Sequence, residues 1–191
     1  SIDAQDDQGG VGSCDSPSGP VYVSFVMVGR VDSLRGDYVG RLRNSVQFIQ
    51  ALCKAHGVRA EIVIVEWNPL PGWDSLADVL RPYVATEEGT PRVRVVTVPA
   101  AFHRRVGGST GQSFFEFMAK NVGARRARGQ FVLLTNGDVL LSDAVLALLA
   151  QKLLREDVMY RMARVESPGV MDPLAPLSWR RVALRELVAV V

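Results

Sequence analysis

The sequence contains only two cysteines and two histidines among its 191 residues, which limits the kinds of site that the chain can build. Cys14 lies in a polar stretch and Cys53 on the apolar face of a predicted helix, so no disulfide framework or zinc-binding spacing follows. His56 and Gly57 stand at a predicted helix end, where capping is a better interpretation than metal binding. Because His103 is the other histidine, a histidine metal cluster is not expected.

Strong net charge and long apolar runs are also missing. The formal net charge is +2, so no strong electrostatic field argues for a nucleic-acid partner. No run of eighteen apolar residues occurs, and we therefore expect no membrane span within the chain. A dinucleotide-binding G-x-G-x-x-G after the first predicted strand, a P-loop and a G-x-S-x-G are all absent, which removes the local signatures of three common enzyme classes.

The composition divides the chain into three parts. Residues 1–19 are rich in Gly, Ser, Asp and Gln and are expected to form a flexible leader or stalk. Residues 20–165 are expected to form a single folded domain, and residues 166–191 a C-terminal segment. If the leader is a stalk, the protein belongs in the Golgi or another secretory-pathway lumen; otherwise a cytoplasmic location is expected.

Apolar β-rich runs alternate with helical patterns along the folded part. Strands are predicted at residues 21–28, 61–67, 92–98, 130–135 and 158–165. Helices are predicted with an apolar stripe from Val39 to Cys53, around residues 74–80, at residues 113–128, and after Ser142 as N-cap. This alternation predicts an α/β fold with a mainly parallel sheet flanked by helices.

Polar side chains follow four of the predicted strands. The segments that carry these polar side chains are Arg30 and Asp32, Glu66 to Asn68, Phe102 to Arg105, and Asn136 to Asp138. Because ligands bind beyond the carboxyl ends of parallel strands, we expect a site at this edge of the sheet. Asn136-Gly137-Asp138 has two interpretations: a turn that needs these residues for backbone reasons, or a pair of oxygen donors for magnesium or manganese. With arginines for phosphate oxygens, the set favours a nucleotide diphosphate site over an acid–base hydrolase.

Four segments in fixed order carry a resemblance to a known family: VSFVMVGR, EIVIVEWNP, the N-x-G-x-x-x-A-x-G pattern that begins at Asn121, and the N-G-D turn that ends at Asp138. Over residues 21–165 the chain resembles family-2-type glycosyltransferases with the nucleotide-sugar-binding GT-A fold, and within that type an uncharacterised glycosyltransferase-like group. The resemblance implies a GT-A-like, Rossmann-like single domain at residues 20–165, followed by a shortened acceptor side at residues 166–191.

The resemblance also implies roles for individual residues. Glu66 would contact the nucleoside, Arg30 or Asp32 would lie beside the base or ribose, and Asp138 would bind the divalent cation, manganese or magnesium. Asn136 would be a weaker neighbour of Asp138, because it stands where the family's D-x-D motif has its first carboxylate.

Asn121 and two acidic residues near the C-terminus complete the predicted site. The helix of Asn121 would pack under the sugar-nucleotide site, and the spacing from Phe117 and Met118 predicts a buried, hydrogen-bonded Asn121 amide. Glu166 and Asp172 are the candidate catalytic bases.

The implied function is transfer of a hexosyl-type sugar from a nucleotide diphosphate-sugar donor to a hydroxyl of a glycan, lipid or protein acceptor, with help from the cation. Two alternatives remain open from the residues. One is a non-catalytic nucleotide- or sugar-binding module, which the neutral Asn136 favours. The other is a nucleotidyltransferase, which the missing glycine-rich loop after the first strand disfavours.

Overall fold

The computed structural model describes residues 19–32, 36–107 and 111–163. Four strands are present in this part of the chain: β1 (Val23–Gly29), β2 (Ala60–Trp67), β3 (Arg92–Val98) and β4 (Phe131–Leu134). Five helices accompany them there: α1 (Tyr38–His56), α2 (Leu76–Leu80), α3 (Ala100–Gly107), α4 (Glu116–Ala124) and α5 (Asp143–Ala150). A 3₁₀ turn, Arg81–Tyr83, continues α2.

The strands form one parallel sheet in the order β3-β2-β1-β4, with every neighbouring pair parallel. The two central strands, β1 and β2, are buried along nearly their whole length, as expected of strands covered by helices on both faces. The predicted α/β class with a parallel sheet is therefore confirmed, and the arrangement is compatible with a Rossmann-like fold.

Helices cover the two faces of the sheet unequally. The larger core packs α1, α2 and α5 against one face, where Phe25 and Ile64 are fully buried. Within α1, the predicted stripe is confirmed from Leu42 to Cys53, both 0% exposed, whereas Val39 is only half-buried. Burial raises the pKa of the Cys53 thiol to about 12, so this cysteine is a packing group with little thiolate character.

The opposite face is covered mainly by α4. Its close approach depends on Gly123, where a Cβ atom would lie 2.4 Å from Val26 Cγ1 and 3.1 Å from Val65 Cγ2. Ala119, one turn earlier, is fully buried in the smaller core with Trp67. The absence of a side chain at this position therefore permits the close packing of α4 on the sheet.

The predicted C-terminal end of α1 is confirmed, and the structure adds its N-cap. Asp37 accepts a hydrogen bond from the Gly40 amide at the N-terminus, and Gly57 takes the left-handed conformation with φ of 64° at the C-terminus. Its amide donates to the carbonyls of Cys53 and Lys54. His56, in the last turn, has its Nε2 3.1 Å from Asp143 Oδ1.

The secondary structure departs from the prediction in three places. Residues 100–107 form a helix that was not predicted, and α4 covers 116–124 instead of 113–128. Residues 158–163, the described portion of the predicted fifth strand, form neither helix nor strand. Met159 is 96% exposed there, so the apolar pattern of this segment is not matched by burial among the described residues. Residues 164–165 lie outside them.

Candidate functional site

The strand order identifies where the sheet can accept a ligand. From β1 the chain progresses through β2 to β3 in one direction, and the crossover through α3 and α4 returns it to β4 on the other side of β1. The order of connection therefore reverses between β1 and β4. In open parallel sheets such a reversal leaves a crevice beyond the carboxyl ends of the two strands. Here those ends lead into Arg30 and into Asn136-Gly137-Asp138.

Arg30 and Asp32, which follow β1, form an ion pair with each other. Arg30 Nε lies 3.0 Å from Asp32 Oδ2, and the two side chains are only 3% and 12% exposed. Arg30 also donates to the Ser113 carbonyl at 3.1 Å and to the Asn68 carbonyl at 3.4 Å. The guanidinium thus fastens the end of β1 to the end of β2 and to the segment before α4. In this arrangement its donors are directed at protein acceptors.

Glu66, near the end of β2, is 1% exposed and uses both carboxylate oxygens within the protein. Oε1 accepts from the amide of Leu76, the first residue of α2, at 2.8 Å, and Oε2 accepts from Thr97 Oγ1 at 3.1 Å. A carboxylate at a helix N-terminus satisfies an amide that has no partner within the helix. Glu66 therefore positions α2 against the sheet edge.

Trp67 leaves the other face of β2 and joins an aromatic cluster. Its ring is 6.0–6.1 Å from the rings of Phe102, His103 and Phe115, and its Nε1 donates to His103 Nδ1 at 2.9 Å. Because the indole N–H only donates, the neutral His103 ring carries its proton on Nε2. The predicted polar residue His103 is thus brought to the sheet edge, on α3, as a partner of Trp67.

The β4 turn brings Asn136 and Asp138 to the same edge but in different environments. Asp138 is exposed, with 41% of its side chain accessible, and lies 3.9 Å from Arg41 Nε. Asn136 Oδ1 accepts a hydrogen bond from Lys120 Nζ at 2.8 Å. Gly137 between them is buried. The turn therefore presents one accessible carboxylate and one amide oxygen that already contacts an ammonium group.

Tyr38 closes the gap between β1 and this turn on the α1 face. Its hydroxyl donates to the Val28 carbonyl at 2.5 Å, and it would lie 2.5 Å from a Cβ atom added at either Gly29 or Gly137. Both glycines are therefore needed to admit the phenol. The packing therefore explains the glycine of the N-G-D turn by the space that Tyr38 needs, and not by a left-handed backbone, since Gly137 is not among the described glycines with positive φ.

Replacing Tyr38 by phenylalanine is expected to lower the free energy of unfolding by about 1 kcal/mol, because the buried Val28 carbonyl loses a donor. Urea denaturation would measure the change. The matched control is Tyr83→Phe, at a position 42% exposed, which should change stability by less than about 0.5 kcal/mol. Equal effects of the two substitutions would contradict the role assigned to the Tyr38 hydroxyl.

Lys120 is a residue of this edge that sequence reasoning missed. Its side chain is 16% exposed, and Nζ donates to Glu116 Oε1 and to Asn136 Oδ1, both at 2.8 Å. The i,i+4 spacing of Glu116 and Lys120 in the predicted helix was a readable signal for the first contact. The contact with Asn136 depends on how α4 crosses the sheet, which no local pattern specifies.

Asn121 lies on a different face of α4 from the one expected. Its side chain is exposed, and so are Phe117, at 82%, and Met118, at 40%. The face toward the sheet instead carries Ala119 and Gly123, one turn apart. The prediction of a buried Asn121 amide was therefore wrong, because the two large apolar residues used as its reference do not face the core.

The donor set decides which of these residues fit a divalent cation. Asp138 fits: its carboxylate is accessible, and magnesium or manganese takes few protein ligands when substrate phosphates supply the rest. Asn136 fits poorly, since its oxygen contacts the Lys120 ammonium. No group of three or more His, Cys, Asp or Glu side chains suited to a metal occurs among the described residues. The candidate bases Glu166 and Asp172 lie outside those residues.

The described residues define an α/β protein with a four-stranded parallel sheet and a candidate anion- and cation-binding edge between β1 and β4. None of their helices has the length and apolar character to cross a bilayer. No protein-family model, curated protein or solved structure matches the chain.

Proposed function

We propose that the protein is a glycosyltransferase of hexosyltransferase type with a GT-A-like fold. It would use a nucleotide diphosphate-sugar donor and transfer the sugar to a hydroxyl of a glycan, lipid or protein acceptor. The observation that carries the proposal is the position of Asp138, an accessible carboxylate on the β4 turn at the reversal point of the sheet. The family-like order of segments supports the same function, while the fold alone would support many others.

In this proposal Asp138 holds a manganese or magnesium ion together with oxygens of the donor's diphosphate. When bound, the cation supplies neutralisation of the charge that develops on the leaving nucleoside diphosphate. The acceptor oxygen forms a bond to the anomeric carbon, the bond from that carbon to the diphosphate oxygen breaks, and the acceptor proton passes to a carboxylate. Glu166 and Asp172 are the proposed carboxylates.

The buried residues of this edge would act by positioning the donor pocket. Arg30 with Asp32 ties the end of β1 to the segment before α4, and Glu66 holds the first turn of α2. These three side chains already form hydrogen bonds or ion pairs within the protein, so any contact with the base or ribose would be made in addition to those bonds. They keep the loops in place so that the exposed Asp138 meets the diphosphate in a fixed geometry.

Asp138→Ala is expected to abolish the metal-dependent part of nucleotide binding. At a concentration of UDP or GDP about 100-fold above Kd with manganese present, the wild-type protein should gain about 2.7 kcal/mol in stability. For a chain of this size that gain corresponds to a rise in Tm of about 5–10 °C. Thermal unfolding with and without manganese measures it.

The control for this substitution is Asp157→Ala. Asp157 is a similarly exposed carboxylate, 66% accessible, next to Glu156, which bonds Gln130 just before β4 at the opposite edge of the sheet. The Asp157→Ala protein should keep the full manganese-dependent rise in Tm. An Asp138→Ala protein with an unchanged rise would remove the metal role from this residue.

A non-catalytic nucleotide- or sugar-binding module is the second candidate function. The observation in its favour is the bond between Asn136 and Lys120, since the first carboxylate of the family motif is replaced by an amide already in use. The two candidates differ in turnover. Release of free nucleoside diphosphate from a panel of donor sugars, with or without acceptors, supports the enzyme, and nucleotide binding without any release supports the module.

A further inference from the structure

The ammonium group of Lys120 is a fixed positive charge at the carboxyl edge of the sheet. It is held from two sides, by Glu116 Oε1 and Asn136 Oδ1, each at 2.8 Å. A lysine ammonium has three N–H donors, so one remains without an acceptor among the described residues. The side chain is 16% exposed, so it is largely covered but still reaches the surface at this edge.

The charge balance of this edge differs from that of a site built from two carboxylates. Two carboxylates without a metal would repel a diphosphate, so nucleotide binding would require the cation. Here each polar side chain of the β4 turn faces a basic group: Asn136 contacts Lys120, and Asp138 lies 3.9 Å from Arg41. With Glu116 included, these five side chains sum to zero formal charge, so the surroundings of the β4 turn lack the repulsion that a metal would have to cancel.

We propose that Lys120 contacts the diphosphate of the nucleotide directly, so that a nucleoside diphosphate binds without a divalent cation. The inference rests on the proposed function and deepens it, since it assigns a phosphate contact and removes the absolute metal requirement for binding. Lysine acts as a compact point charge toward phosphate, and a hydrogen bond between charged partners is stronger than a neutral one. The Asn136 amide holds the Lys120 ammonium next to the β4 turn without adding a negative charge. A carboxylate at position 136 would instead neutralise the charge of the ammonium.

Two substitutions separate a phosphate contact from a purely structural link between α4 and the β4 turn. Lys120→Met removes the charge and keeps the apolar stem, and it should weaken binding of UDP or GDP by about tenfold or more in EDTA. Glu116→Gln removes the carboxylate that competes for the same ammonium, so it should strengthen binding in EDTA. A structural link alone would make both variants bind equally well or both bind worse.

The experiment is isothermal titration of UDP and GDP into the wild-type protein and both variants, in EDTA and in manganese, with Tm of the ligand-free proteins as a folding control. We expect wild-type binding in EDTA, a weaker Lys120→Met and a tighter Glu116→Gln. Lys120→Arg, which keeps the charge, should recover part of the lost affinity. If Lys120→Met fails to fold, the Glu116→Gln result and the EDTA titration of the wild type still decide the inference.

Each contrary result identifies what has failed. Binding that requires manganese overturns the inference about Lys120 and leaves the proposed function standing. Binding in EDTA that Lys120→Met does not weaken, or that Glu116→Gln does not strengthen, overturns the phosphate contact. Absence of UDP and GDP binding under both conditions overturns the proposed function as well.

Discussion

Glu61→Gln is expected to lower the free energy of unfolding by about 2–3 kcal/mol at neutral pH, because it disrupts a buried network at the amino edge of the sheet. Glu61 Oε1 accepts from Ser24 Oγ at 2.8 Å and from the Arg128 amide at 2.6 Å. Oε2 accepts from Arg94 at 3.0 and 3.2 Å, and the Glu61 side chain is 6% exposed. An amide supplies one acceptor oxygen in place of two and adds a donor facing Arg94.

The effect should depend on pH. Burial by itself raises the pKa of Glu61, but the hydrogen bonds from Ser24, Arg128 and Arg94 and the charge of Arg94 outweigh it, so the pKa is lowered overall. A lowered folded-state pKa contributes stability that is present above the unfolded-state pKa of about 4.3 and is lost as pH falls through the folded value. The difference between wild type and Glu61→Gln should therefore shrink below about pH 4.

Guanidinium denaturation of the wild type and of Glu61→Gln from pH 3 to pH 7 measures how their difference in unfolding free energy depends on pH. Glu88→Gln, at an exposed glutamate, is the matched control and should stay within about 0.5 kcal/mol of wild type throughout. A pH-independent loss in Glu61→Gln would show that the carboxylate charge is not what stabilises the network.

Trp67→Ala is expected to lower the free energy of unfolding by about 3–5 kcal/mol, the largest loss of any substitution considered for this protein. The indole is 0% exposed and contacts the three rings of Phe102, His103 and Phe115. The substitution opens a cavity between the sheet, α3 and α4, and removes the donor to His103. We also expect weaker nucleotide binding, because α3 and the segment before α4 border the candidate site.

Two further substitutions show how much of the stability loss in Trp67→Ala comes from burial and ring packing. Trp73→Ala makes the same substitution at a residue 48% exposed and should cost less than about 1 kcal/mol. Trp67→Phe keeps a ring but removes the indole donor, so its difference from Trp67→Ala reports the packing of that ring, and its own loss reports the hydrogen bond together with the smaller volume. Similar losses for Trp67→Ala and Trp73→Ala in urea denaturation would contradict the burial argument.

Three of the strands, β1, β2 and β4, were predictable because each is a nearly continuous apolar run, and β3 was predictable from the valines that recur through it. Residues 92–98 were predicted and found with identical bounds, and β1, β2 and β4 differ from prediction by one or two residues at their ends. A run that is apolar on both faces suits the middle of a covered sheet, as in β1 and β2, whereas β4 lies at the edge and leaves Val132 and Leu134 exposed. The last predicted strand, 158–165, did not form in its described part, where Met159 is 96% exposed.

The candidate site was predictable only as a set of strand ends. Because parallel strands place their carboxyl ends on one edge, Arg30, Glu66 and Asp138 had to lie near the same edge. Their environments could not be read from the sequence. Glu66 is fully paired inside the protein, whereas Asp138 is exposed, and the difference follows from which loops and helices cover each strand end.

The sequence by itself determined the α/β class, the parallel sheet, the end of α1 at Gly57 and the start of α5 after Ser142, since apolar periodicity and capping residues act over a few neighbouring positions. Only the tertiary structure decided the orientation of α4, which exposes Asn121 and brings Lys120 to Asn136. That orientation depends on Gly123 fitting against Val26, a contact between residues 97 positions apart in the chain. The partner of each polar group is therefore set by long-range packing, and local pattern cannot specify it.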